Sequence, residues 1–115
     1  MKTINKMIAL FDSFYGKGKY RFKKTLKKYP DIDIVSLNDS YAGVIKLSKG
    51  IYGIGGVIVK EQKKGDGTKL VNKIHKKHKG IFLLRSSTSQ GFWKKMGYKK
   101  VGDVFVYINK NIVDW

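Results

Sequence analysis

The chain has 115 residues, of which 42% are hydrophobic and 13% aromatic, enough apolar surface for one modest core and too little for two. It carries 25 lysines and arginines against 8 acidic residues, a formal net charge of +17. The absence of cysteine excludes a disulfide framework, a cysteine nucleophile and a zinc ribbon, and fits a reducing cytoplasm. The longest apolar runs, such as Val57-Ile58-Val59 and Ile81-Phe82-Leu83-Leu84, are far too short to span a bilayer, so no membrane partner is expected. The first residues hold scattered lysines and no small-residue cleavage site, so no signal peptide is expected either.

Ile4, Met7, Ile8, Phe11, Phe14 and Tyr15 recur at helical spacing and predict a first amphipathic helix over 3–15. Gly16-Lys17-Gly18 breaks it. A second, very basic helix follows from about Tyr20 to Lys28, with Phe22, Leu26 and Tyr29 on one side and Pro30 closing it. Residues 31–37 alternate as a strand, Asn38-Asp39-Ser40 reads as a turn, and 41–47 and 51–60 are two further strands around Ser48-Lys49-Gly50. Gly53, Gly55 and Gly56 inside the third strand mark a bulge or the close approach of a backbone or ligand.

The segment 67–79 predicts a helix with Leu70, Val71 and Ile74 on its apolar face and Gly80 as its stop. Ile81–Leu84 has the continuous apolar pattern of a strand buried on both faces. Ser87-Thr88-Ser89-Gln90 offers a capping box for a short helix with Phe92, Trp93 and Met96, and Val101 and 104–108 supply final strand material. The whole chain, 1–115, reads as one domain. His75 and His78 lie three apart on the third helix with no third ligand beside them, so no metal is expected and both read as exposed helix histidines.

So large an excess of positive charge attracts polyanions: nucleic acid such as DNA or tRNA, or an acidic protein. Of the basic residues only Arg21 and Arg85 are arginines. Lysine acts as a point charge on phosphates, whereas guanine is read by the arginine fork, so contact with nucleic acid would run mainly to the backbone. The densest stretch is Lys17, Lys19, Arg21, Lys23, Lys24, Lys27 and Lys28, a candidate phosphate-tracking surface that also reads as a plain solvated face.

The segment Gln62-Lys63-Lys64-Gly65-Asp66-Gly67-Thr68 between the third strand and the third helix is the most informative. Glycines at 65 and 67 let backbone N–H groups face a ligand, and the free N–H groups and dipole of the following helix attract an anion. Neither G-x-x-x-x-G-K-[ST] nor a strand-linked G-x-G-x-x-G is present. The pattern Gln-x-x-Gly-x-Gly resembles the acetyl-CoA signature of the GCN5-related N-acetyltransferases, [Arg/Gln]-x-x-Gly-x-[Gly/Ala]. About 25 residues on, Phe92-Trp93-Lys94-Lys95-Met96-Gly97-Tyr98 is similar to that family's Phe-Tyr-x-x-x-Gly-Phe segment. The resemblance covers roughly residues 32–108.

It implies an α/β (α+β) fold with a mixed, mostly antiparallel central sheet flanked by helices and strands splayed at the acyl-CoA site. It also implies acetyl-CoA or another acyl-CoA as cofactor, with pantetheine on the backbone around Val57, Ile58 and Val59, pyrophosphate on residues 62–68, and Trp93 beside the cofactor. The implied activity is an N-acyltransferase whose amine acceptor lies on or near a polyanion; the alternative is a non-catalytic relative that docks on nucleic acid or an acidic protein. The chain departs from the family at two catalytic places. Trp93 stands where the acid tyrosine usually is, and 51–60 has no carboxylate to act as base. Ser86, Ser89 and Tyr98 are the candidate replacements for the acid, and Asp39 and Glu61 the nearest carboxylates.

Overall fold

The computed structural model describes residues 3–17, 21–60, 65–86 and 89–108. Two helices, α1 (Thr3–Tyr15) and α2 (Phe22–Lys28), precede three strands, β1 (Asp33–Leu37), β2 (Ser40–Ser48) and β3 (Ile51–Ile58). Helix α3 (Asp66–Lys77), β4 (Ile81–Leu84), α4 (Gln90–Lys95), β5 (Lys99–Val101) and β6 (Val104–Ile108) complete the chain. The six strands form one sheet in the order β1-β2-β3-β4-β6-β5. Every neighbouring pair is antiparallel except β3 and β4, which run parallel because α3 crosses between them. This is the mixed, mostly antiparallel sheet flanked by helices that the sequence predicts.

The sheet is covered on both faces, and strand alternation sorts the core into two parts. On one face Leu70, Val71 and Ile74 of α3 pack with Val35, Ala42, Val44, Phe82, Leu84 and Phe105, and with Trp93 and Tyr98. On the other, Met7 and Phe11 of α1 and Phe22 of α2 pack with Ile32, Tyr41, Ile45 and Ile58. Neighbours in sequence therefore serve opposite faces, Tyr41 beside Ala42 and Val44 beside Ile45.

Gly55 is the extra residue of a bulge, since Gly43 pairs with Gly56 and Val44 with Ile54. A Cβ on Gly55 would meet Ile45 Cδ1 at 2.8 Å and Thr25 Cγ2 at 2.9 Å, and one on Gly56 would meet the Phe22 ring at 2.7 Å. What comes close to these strand glycines is α2 and its neighbours.

Several boundaries differ from the sequence reading. The final strand material is two strands, paired around Gly102-Asp103. Helix α3 ends at Lys77, before Gly80, because its last turn is drawn onto β1. Lys77 Nζ lies 2.9 Å and His78 Nε2 2.8 Å from Asp33 Oδ2. Burial pushes the Asp33 carboxyl up, but the hydrogen bonds and charges of Lys77 and His78 together outweigh it and hold it below the ordinary carboxylate range. The expectation of exposed histidines fails: His78 is half-buried in this pair and His75 is buried in the core. Among the described residues no helix is long and apolar enough to cross a membrane.

The task of Gly80 is to let β4 start against the β2–β3 turn. The Ile81 N–H donates to the Gly50 carbonyl at 2.9 Å, and a Cβ on Gly80 would lie 2.2 Å from that same oxygen. Replacing Gly80 with alanine is therefore expected to destabilise the fold by roughly 1–3 kcal/mol, the usual cost of forcing atoms into a filled space. Urea unfolding checks this: the midpoint should fall with little change in slope.

Candidate functional site

The parallel ladder between β3 and β4 has three rungs, Ile51↔Ile81, Tyr52↔Phe82 and Gly53↔Leu83. The ladder stops there, one residue before β4 itself ends at Leu84. β3 continues to Ile58 along β2, through Ile54↔Val44 and Val57↔Ala42, while β4 follows β6 to Leu84↔Phe105. The β4-facing edge of residues 54–58 thus has no ladder partner among the described residues. Backbone N–H and C=O groups on such an edge require partners from solvent or a ligand. Val57 and Val59 are half-buried, whereas the Ile58 side chain is anchored in the core beneath α1 and α2.

The chain leaves β3 toward the first turn of α3. Gly65 caps that helix with φ 73° and ψ 12°, a left-handed conformation that glycine adopts without strain. The Lys69 N–H donates to the Gly65 carbonyl at 3.2 Å, which leaves the N–H groups of the first turn pointing out of the helix end. A Cβ on Gly67 would lie 3.5 Å from the Phe92 ring and 3.6 Å from Val59 Cγ2. The glycine segment and the aromatic segment, some 25 residues apart in sequence, therefore meet at the end of β3. Thr68 is half-buried in the same turn. Gln62, Lys63 and Lys64 lie outside the described residues, as does Glu61.

Asp66, only 8% exposed, accepts a hydrogen bond from Asn38 Nδ2 at 3.3 Å. A carboxylate in the first turn suits the helix dipole. The bond also ties α3 to the β1–β2 turn, where Asn38 and Asp39 take φ values of 51° and 60°. Asp39 lies in the rim of a shallow groove of about 610 Å³ that also includes Lys6, Asn38, Tyr41 and Lys73. Its side chain is exposed, 4.0 Å from Lys60.

The candidate acids fall elsewhere. Ser86 Oγ accepts from the Ser89 N–H at 3.2 Å and the Ser86 carbonyl from Gln90 Nε2 at 3.3 Å, so Ser86 shapes the entry into α4. Ser89 is exposed, and Ser87 and Thr88 lie outside the described residues. Trp93 is 5% exposed, packed edge-on against Phe92 and Tyr98 with ring centroids 5.0 and 5.1 Å apart. Its indole is packed within the core.

Tyr98 is 2% exposed, and its hydroxyl is 2.8 Å from His75 Nε2. Burial raises its pKa far above that of an ordinary phenol, with Tyr107 adding to the shift, so it holds its proton. The His75 ring stacks on Tyr107 at 4.1 Å and 3°, and burial lowers its pKa to about 4. This His75–Tyr98–Tyr107 cluster was not visible in the sequence; its one signal was a histidine beside the apolar positions Val71 and Ile74 of α3.

Of the basic stretch, Lys17, Arg21, Lys24, Lys27 and Lys28 are exposed and Lys23 half-buried, while Lys19 lies outside the described residues. No group of three or more His, Cys, Asp or Glu side chains that could hold a metal occurs among the described residues.

The His75 environment has a consequence for pH. Its imidazole takes up a proton near pH 6.5 in the unfolded chain and near 4 in the folded one. The unfolded state thus binds more protons in this window, so stability is full above about 6.5 and falls as pH drops toward 4. The loss should reach roughly 3 kcal/mol, and His75→Gln should flatten this slope in urea titrations run across pH 7.5 to 4. Asp33, held below its usual range, adds its own loss only under about pH 4. No family model matches this chain, and no curated protein is detectably similar to it.

Proposed function

We propose that this chain is a small member of the GCN5-related N-acetyltransferase superfamily and acts as an acyl-CoA-dependent N-acyltransferase, most simply with acetyl-CoA. The acceptor amine would lie on or near a nucleic acid or another polyanion. The observation that carries this reading is the β4-facing edge of β3, open beyond Gly53↔Leu83, with the glycine-bearing start of α3 at Gly65–Gly67 following that strand. An extended pantetheine arm carries amide groups that match an open strand edge, and a pyrophosphate suits the first turn of α3.

Bound acyl-CoA supplies a thioester, whose thiolate can leave without a protein acid because thiols are far more acidic than alcohols. The chain would contribute alignment. Backbone N–H groups of the 54–58 edge would hold the thioester oxygen, and the walls of the wedge would exclude water. The surrounding lysines favour the neutral, nucleophilic form of an incoming amine.

One observation favours a second reading, a non-catalytic acyl-CoA or polyanion binder. Trp93 and Tyr98 are both buried in the core, so neither offers a proton at the open edge. Loss of general acid–base help costs about 10²–10⁴-fold, which alignment can partly offset, so slow transfer remains consistent with this site.

Calorimetric titration with acetyl-CoA, against coenzyme A and ATP at two salt concentrations, tests the cofactor half. Selective binding that survives higher salt and weakens at least about tenfold in Gly67→Leu supports it, since a leucine there would crowd Phe92 and the helix start. Binding no better than ATP, or lost at higher salt, would count against an acyl-CoA site and in favour of a lysine field collecting anions.

A further inference from the structure

The two N-terminal helices present two kinds of group side by side. At the end of α1, Phe14 is 49% and Tyr15 57% exposed, among the largest apolar exposures on the described surface. Their rings meet edge-on with centroids 6.5 Å apart. They are not detached from the fold. Tyr15 lies 6.0 Å from Phe11, and Phe11 stacks on Phe22, the first residue of α2, at 5.1 Å and 18°. This row of rings runs from solvent to the base of the basic helix. Phe22 and Thr25 of α2 face the glycines of β3, which turns Lys24, Lys27 and Lys28 outward at i, i+3 and i+4 spacing. Lys17 and Arg21 flank the two helices, and Asp12 is the sole carboxylate within either.

We infer that the α1–α2 face binds single-stranded nucleic acid, with bases stacking on Tyr15 and Phe14 and the backbone phosphates on Lys17, Arg21, Lys24, Lys27 and Lys28. Exposed rings set beside a track of cations are the two components of single-strand recognition without sequence preference. In a duplex the base faces are already stacked, so only the lysines would be engaged and the rings would remain in water. A membrane-lying helix needs a continuous apolar side, and that side of α1, with Met7 and Phe11, is consumed by packing on the sheet. The inference bears on the partner in the proposed function and does not depend on the acyl-CoA site.

Fluorescence anisotropy with a labelled oligothymidine of about a dozen nucleotides tests it, with a duplex of equal length and phosphatidylserine vesicles alongside. Tyr15→Ala and Phe14→Ala should each weaken single-strand binding by roughly fivefold or more and leave duplex affinity unchanged. Tyr15→Leu, which keeps apolar area without a ring, should behave as Tyr15→Ala does; circular dichroism confirms that each variant is folded. The pair Lys24→Gln and Lys27→Gln should weaken both nucleic acids and lower the salt slope for the single strand by about 1.4.

Single-strand affinity unchanged in all ring variants would overturn the inference, leaving only a cationic field. Vesicle binding that is lost in the ring variants, with no oligothymidine binding, would overturn it in favour of a membrane surface. Acetyl-CoA titration of Tyr15→Ala separates the two sites: the ring variant should bind acetyl-CoA as the parent does, whichever way the oligonucleotide result falls.

Discussion

The short parallel ladder between β3 and β4 is held at one end by a single backbone arrangement. The Gly50 carbonyl receives the Ile81 N–H, and only the lack of a side chain at Gly80 lets the two chains come so close. From there three rungs form and then stop. The reason is length: β4 ends at Leu84, one residue past the last rung, whereas β3 runs on along β2 to Ile58. The second half of β3 is thereby left, among the described residues, with an open edge on the side where β4 would have continued. Because α3 connects the same two strands, its first turn necessarily rises beside the opening. The candidate site is a consequence of this connectivity.

The opposite face depends on an equally tight approach. Helix α2 sits so near β3 that Gly55 and Gly56 have no room for a Cβ, and the bulge at Gly55 aims both positions at the helix. Such close packing fixes which side of α2 is buried. Its lysines are left on the outer surface, where self-repulsion is relieved by water and salt. The same packing consumes the apolar side of α1 and leaves Phe14 and Tyr15 at its end. A chain with a net charge of +17 must spread its cations over the surface, but here packing decides that several of them stand beside exposed rings.

Of the candidate acids, Tyr98 alone lies in the interior, and its role there is structural. Tyr98 and His75 satisfy each other under Tyr107, in a site whose low polarity keeps the imidazole uncharged and the phenol protonated. Trp93 joins α4 to this cluster, edge-on against Tyr98. These groups stabilise the seam between α3, α4 and the β4–β6 half of the sheet.

Much of the fold was legible in the residues. Periodicities of 3.6 and 2, together with Gly and Pro punctuation, located the helices and most of the strands, because these signals are local and each reports which face of an element is buried. The glycines at the start of α3 were legible too, but the left-handed conformation of Gly65 and the helix start at Asp66 came from the structure. Local patterns could not say which partner fills a neighbouring space. They left open whether a backbone or a ligand came close to Gly55 and Gly56, read His75 as exposed where it is buried, and set Trp93 beside a cofactor where its indole packs in the core. They also could not place the end of the β3–β4 pairing or set Tyr15 beside the lysines of α2. Those outcomes rest on contacts between residues far apart in sequence, and only the closure of both sheet faces decides them.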